Sequence, residues 1–210
     1  QILFLLIPFA MYLIVFSPCL SNMLKSARMS SEDVQMLSTY IAWLSVSLPF
    51  YGVCTYLQKA CSSLRKMSLF AIAECIAGAI QIVICLVFTP IFGFNIVGIS
   101  STFFFVAIDA VTFAILRHEL GRIGFKSIFA SGVRALVLGA AGALVGGGIL
   151  LLLQMLVGPI AGGGMMRSLL YCIIGGVPAL IVTFGFAISR QMPEVAVLSA
   201  MVKRFIPRRA

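Results

Sequence analysis

The fold is decided by the stretch MSLFAIAECIAGAIQIVICLVF, which occupies residues 67–88. Its only charged residue is Glu74. An α-helix rises about 1.5 Å per residue, so a stretch of this length crosses a hydrocarbon core of about 30 Å. A strand of a transmembrane barrel would need only about 10 residues and would alternate apolar with polar positions, which this stretch does not. The stretch therefore predicts a membrane-spanning α-helix.

Similar apolar stretches recur along the whole chain. The six are residues 2–20, 34–57, 67–88, 96–116, 135–157 and 168–189. Hydrophobic residues make up 61% of the 210 residues, and charged residues only 10%, whereas about 25% is usual in soluble proteins. This composition excludes a soluble globular domain, a disordered tail and a coiled coil. The sequence predicts an all-α, polytopic membrane protein with six transmembrane helices.

The basic residues indicate which side of the membrane each connection faces. Twelve of the 15 lysines and arginines lie after the second, fourth and sixth stretches. The other three, Lys25, Arg28 and Arg167, lie in the remaining connections. Because cytoplasmic loops carry the excess of Lys and Arg, both ends of the chain are expected in the cytoplasm. The net charge of +9 then predicts a surface that faces anionic lipid headgroups, with no nucleic-acid partner.

The apolar stretches and the basic connections between them divide the chain into four parts. Residues 1–116 are expected to form four transmembrane helices, and residues 117–134 a cytoplasmic amphipathic connector. Residues 135–189 follow as a transmembrane hairpin, and residues 190–210 as a basic cytoplasmic tail. The sequence begins with Gln1 and is apolar from the next residue, which suggests that the start has been cut.

Signatures of catalysis, metal binding and redox chemistry do not occur in the sequence. His118 is the only histidine, and no H-E-x-x-H, G-x-S-x-G or phosphate-binding glycine loop occurs. The six cysteines include no C-x-x-C pair, so they predict small apolar residues and not a disulfide framework. The sequence therefore predicts neither an enzyme nor a metal site or a cofactor.

Two acidic residues lie inside the predicted spans. An ionised side chain in hydrocarbon costs at least about 2.5 to 3.5 kcal/mol on insertion scales. Glu74 and Asp109 each lie seven residues from the cytoplasmic end of their stretch, which is a depth of about 10 Å. Gln81 is two turns beyond Glu74 on the same helical face. One interpretation is that these residues line a pathway for a polar substrate or an ion, which Lys59 could reach. The other is that the two carboxyl groups only pack between helices, where each is either paired or protonated.

Small residues and prolines predict how the helices pack. Gly142 and Gly146 form a G-x-x-x-G spacing in the fifth stretch, which favours close approach of a neighbouring helix over a hinge. Pro8, Pro49 and Pro178 lie within the first, second and sixth stretches. Each removes a helical hydrogen bond and favours a kink.

Several short motifs together resemble one family. They are SSEDV at 30–34, LPFY at 48–51, LQKA at 57–60, the basic pair at 65–66, TP at 89–90 and the glycine-bounded re-entry at 93–98. In type and order they are similar to the C-terminal half of the MviN/MurJ-type lipid II flippases. The resemblance covers the whole chain as the last six spans of that family.

The resemblance carries expectations about fold and function. The family belongs to the multidrug/oligosaccharidyl-lipid/polysaccharide exporters and has fourteen spans in two lobes, so this chain would be a fragment of a two-lobe transporter. The expected function is part of a flippase in the bacterial plasma membrane that moves a polyprenyl pyrophosphate-linked peptidoglycan precursor by alternating access. Spans five and six would help to form the groove for the polyprenyl tail.

Two alternatives remain open from the sequence. One is a related exporter of another lipid-linked oligosaccharide or of drugs, and the other is a membrane scaffold that transports nothing. The basic residues with which the family meets pyrophosphate lie mostly in N-terminal spans, so the resemblance assigns no site residue here.

Overall fold

The computed structural model describes residues 2–25, 29–120, 125–160 and 164–190, with backbone only for 118–120 and 125–129. The described residues form six α-helices and no strand. The helices are α1 (Ile2–Met23), α2 (Ser31–Ser63), α3 (Met67–Phe92), α4 (Ile96–Leu120), α5 (Phe125–Val157) and α6 (Met165–Ser189). A 3₁₀ turn at Gly93–Asn95 separates α3 from α4.

Among the described residues, five helical segments are long and apolar enough to cross a membrane. They are Ile2–Met23, Ser31–Ser63, Met67–Arg117, Ala130–Val157 and Met165–Ser189. The third contains both α3 and α4 with the turn between them. The expectation of an all-helical protein is confirmed, as is that of several helices long and apolar enough to cross a membrane.

The helices extend beyond several of the apolar stretches. The helix that contains residues 135–157 begins at Phe125, so the second half of the expected connector, 117–134, is continuous with α5. No proline lies between Phe125 and Ala135, and the one glycine there, Gly132, does not stop the helix. Residues 121–124 and the tail beyond Arg190 lie outside the described residues.

The start of α2 shows a local role for the SSEDV motif. The Asp33 backbone N–H donates to Ser30 Oγ at 3.2 Å, and the Ser30 backbone N–H donates to Asp33 Oδ2 at 2.9 Å. This reciprocal pair is a capping box, which satisfies two N–H groups that the first helical turn leaves free. Glu32 and Asp33 also place negative charge at the positive end of the helix dipole.

Two groups of helices meet at α1. Helix α1 packs against α2, α5 and α6, whereas α4 packs against α2 and α3. Helix α3 has few contacts with α2, so it lies at the edge of its group. The first core joins α1, α5 and α6 through Phe16, Cys19, Leu150, Tyr171 and Ala179. The second joins α2, α3 and α4 through Cys54, Leu57, Phe70, Ile108 and Leu116.

The outer surface of both groups is apolar. Leu86 and Ile91 of α3 and Met155 and Leu156 of α5 are between 71% and 82% exposed. A water-soluble monomer rarely exposes a continuous apolar surface of this extent. Lipid chains would cover such a surface without cost.

Candidate functional site

Helices α2, α3 and α4 form the second helix group, which we call the α2–α4 group. Asp109 lies on the side of α4 that packs into this group. Its side chain is partly buried, and its Oδ1 atom has no hydrogen-bond partner among the described residues. Thr112 is one turn further along α4 and only 1% exposed, and its Oγ1 also has no such partner. An unsatisfied buried polar atom costs about 1–3 kcal/mol. This face of α4 therefore presents two unpaired oxygen atoms, each energetically unfavourable, to a largely apolar interior.

The two acidic side chains of the predicted pathway lie on neighbouring helices, Glu74 on α3 and Asp109 on α4. Both helices contribute to the core that contains Cys54. Their environments differ, because Asp109 is partly buried and Glu74 is exposed.

The rotation of α3 explains why Glu74 is exposed. Phe70, Ala73 and Ala77 are each no more than 3% exposed, and they form the face of α3 that packs into the group. Each residue turns an α-helix by 100°, so Glu74 is rotated away from Ala73. It therefore lies beside the buried face and not on it.

Gln81 takes part in a second polar cluster nearer the α3–α4 turn. Gln81 Nε2 donates to Ser100 Oγ of α4 at 3.5 Å, and Cys85 Sγ lies 3.2 Å from the same hydroxyl. Ser100 is fully buried and donates in turn to the Val97 carbonyl oxygen at 3.1 Å. Gln81 therefore faces the helix contact, and Ser100 is a site residue whose only sequence signal is a hydroxyl within an apolar stretch.

Lys59 lies in different surroundings from the two carboxyl groups. It is exposed and lines a groove between α1 and α2. The face of α2 that packs into the α2–α4 group is marked instead by Cys54, Leu57 and Cys61, all no more than 8% exposed. The structure therefore assigns Lys59 to the groove.

Gly142 and Gly146 lie where α5 closely approaches α6 and α1. A Cβ atom on Gly142 would overlap Thr183 Oγ1 and would lie 2.9 Å from the Ala179 carbonyl oxygen. A Cβ atom on Gly146 would lie 3.0 Å from Ala179 Cβ and 3.2 Å from Phe16 Cζ. The absence of side chains at both positions permits this contact.

Polar bonds tie the same three helices together. The Tyr12 hydroxyl donates to the Ala179 carbonyl oxygen at 3.2 Å and is hydrogen-bonded to Thr183 Oγ1. Thr183 Oγ1 donates to the Leu138 carbonyl oxygen of α5 at 3.1 Å. At the other end of α1, Asn22 Nδ2 donates to Ser168 Oγ of α6 at 2.7 Å. These bonds make α1, α5 and α6 one packed unit.

The donor atoms around Asp109 limit what the site could hold. A carboxylate and a hydroxyl are hard oxygen donors, which suit a proton or a hard cation better than a soft transition metal. Among the described residues, no three His, Cys, Asp or Glu side chains are grouped as metal ligands. The oxygen atoms of Asp109 and Thr112 therefore suit a proton or a hard cation, and the described residues offer no set of ligands for a transition metal.

Comparison of the sequence with protein-family models and with curated proteins gives no match.

Proposed function

We propose that the chain is part of a transporter of the bacterial plasma membrane that flips a lipid-linked peptidoglycan precursor by alternating access. The observation that carries the transport part is the polar face of α4, where Asp109 and Thr112 present unpaired oxygen atoms among apolar helices. Ionisable groups within membrane helices are costly and mark ion or substrate pathways. The substrate follows from the resemblance of the sequence motifs to the MviN/MurJ-type flippases.

The topology that we propose has six spans. Helices α3 and α4 pack against each other and are separated by the turn at Gly93–Asn95. Gly93 has a φ of 57°, a conformation that glycine adopts without strain. Each helix has at least 25 residues, more than the roughly 20 that one crossing requires. Two antiparallel crossings then place both ends of the chain on the side that holds most of the lysines and arginines, which is the cytoplasm.

Alternating access requires a second lobe beyond these helices. Repeat-built transporters bind their substrate at the interface between two halves, and the halves move against each other. In this proposal the α2–α4 group and α1 contribute to one lobe, and the exposed apolar faces of α5 and α6 contact the polyprenyl tail. The pyrophosphate would be bound mainly by the other lobe.

A flipping assay tests the proposal. The full-length protein is reconstituted into liposomes with fluorescent lipid II, and the probe that reaches the outer leaflet is quantified. We expect flipping by the wild type and a loss of at least tenfold in Asp109→Asn, with Glu32→Gln at the exposed start of α2 as the control. Flipping of a drug or another lipid-linked oligosaccharide but not of lipid II would favour the related exporters. No transport of any of these substrates would favour a scaffold.

A further inference from the structure

A groove of about 490 Å³ lies between the first half of α1 and the second half of α2. This volume is within the range of about 300–1,000 Å³ that is typical of ligand pockets. The α2 wall is a single stripe at helical spacing, and Ile2 and Leu6 form the α1 wall. The stripe consists of Leu48, Tyr51, Gly52, Thr55, Tyr56 and Lys59.

The shape of the groove depends on Gly52. Gly52 is buried, and a Cβ atom built there would overlap Leu6 Cδ1 of α1. The two helices are therefore in contact at this point. Tyr51 and Tyr56, which flank it on α2, are 55% and 60% exposed, so the groove opens toward the surroundings of the protein.

The length of the groove matches one leaflet of a bilayer. Leu48 and Lys59 are eleven residues apart on α2, which corresponds to about 16 Å along a helix. The hydrocarbon core is about 30 Å thick, so one leaflet contributes about 15 Å. Lys59 lies one turn before α2 ends at Ser63, which is where lipid headgroups would be.

The charge of the groove selects among the lipids that could enter it. Lys59 is the only charged residue among the described residues that line it, and the remaining walls are largely apolar. A lysine stem packs along apolar surface while its ammonium group reaches the headgroup region. There it can pair with a phosphate. A zwitterionic lipid offers the same phosphate, but its own ammonium group offsets the attraction.

We infer that this groove binds an anionic glycerophospholipid, with one acyl chain between α1 and α2 and the phosphate at Lys59 Nζ. The inference does not depend on which substrate the protein transports, since it concerns a membrane lipid in a groove that Asp109 does not line. A lysine near an anionic membrane surface contributes enough attraction for a preference of about fivefold over a zwitterionic lipid.

Quenching of a single tryptophan tests the inference in the full chain. Trp43 is the only tryptophan of this sequence, so Trp43→Phe with Tyr56→Trp places one reporter at the groove. Any tryptophan elsewhere in a longer natural chain is replaced by phenylalanine as well. The protein is reconstituted in phosphatidylcholine vesicles with a small fraction of lipid brominated on its acyl chains. The brominated lipid is either phosphatidylglycerol or phosphatidylcholine.

We expect brominated phosphatidylglycerol to quench the reporter at about one fifth of the concentration that brominated phosphatidylcholine requires. Lys59→Gln should abolish this difference. Arg117→Gln, which removes one exposed positive charge from the end of α4, should retain it.

A second pair of variants tests the acyl site. Thr55→Phe fills the groove and should reduce quenching by both lipids. Thr39 is an exposed threonine of α2 outside the groove, and like Thr55 it donates a hydrogen bond to the carbonyl oxygen four residues earlier. Thr39→Phe should therefore leave the quenching by both lipids unchanged.

Three results would overturn the inference. Equal quenching by the two lipids would mean that the groove contacts bulk lipid only. Absence of quenching by either would mean that another helix or segment covers it. Relief of quenching by a polyprenyl phosphate, but not by unbrominated phosphatidylglycerol, would assign the groove to the polyprenyl lipid instead.

Discussion

The Tyr12 hydroxyl of α1 donates a hydrogen bond to the Ala179 carbonyl oxygen of α6, 3.2 Å away and 167 residues later in the chain. Both residues are at most 7% exposed. The same hydroxyl is hydrogen-bonded to Thr183, which bonds the backbone of α5. Tyr12 thus connects the first helix to the last two and helps to fix α1 between the two helix groups.

Tyr12→Phe should therefore weaken the α1–α6 contact while keeping the ring. Interhelical hydrogen bonds in membrane proteins contribute about 0.6 to 1.7 kcal/mol, and we expect a loss of that size in the free energy of unfolding. Titration with a denaturing detergent measures it. Tyr51→Phe is the control, because Tyr51 is 55% exposed. Equal losses in the two variants would contradict the role of Tyr12.

Gly146 and Gly148 provide a matched pair for the close approach of α5 to its neighbours. Leucine at Gly146 would meet Ala179 and Phe16, whereas a Cβ atom at Gly148 has no heavy atom within 4 Å. Overpacking typically costs about 1–3 kcal/mol. Gly146→Leu should therefore lower the free energy of unfolding in detergent by about 1–3 kcal/mol. Gly148→Leu should leave it unchanged, and thermal unfolding of the two variants measures the difference. Equal stability of the two would mean that α5 faces bulk lipid at Gly146.

Features that depend on local sequence could be predicted, and those that depend on helix rotation could not. The length of an apolar run predicts a helix, and the G-x-x-x-G spacing indicates a contact surface. The exposure of Glu74 instead depends on how α3 is turned against α4, and one residue changes that direction by 100°. The position of Lys59 in a groove depends on Leu6, which is far away in sequence. Tyr12 and Ala179 are 167 residues apart in the chain, so no local sequence pattern could predict their contact.

Thiol labelling distinguishes six spans from five. Single cysteines replace Ser63 at the end of α2, Phe94 in the α3–α4 turn and Arg117 near the end of α4, in a cysteine-free protein; all three positions are exposed. If α3 and α4 cross the membrane separately, an impermeant reagent outside intact cells should label only Phe94→Cys. If Met67–Arg117 crosses once, the cysteines at 63 and 117 should lie on opposite sides. Labelling of both 63 and 117 without 94 would reverse the proposed orientation.

Amide substitutions separate the roles of Asp109 and Glu74. Asparagine and glutamine keep the shape and hydrogen-bonding capacity of these side chains but cannot exchange a proton near neutral pH. Only Asp109 is partly buried in the interior of the α2–α4 group, whereas Glu74 is exposed. A carboxyl group can couple transport to an ion only where that ion passes. We therefore expect Asp109→Asn in the full-length protein to remain folded and to flip at a residual rate, at least tenfold below that of the wild type, which no longer depends on pH or on sodium. Glu74→Gln should retain that dependence, and the double variant should behave like Asp109→Asn alone.

The measurement is the initial flipping rate across a pH series at constant ionic strength, with and without sodium, together with the thermal stability of each variant. An unchanged profile in the double variant would make the pair structural, and loss of the profile in Glu74→Gln alone would assign the coupling to the exposed carboxyl group.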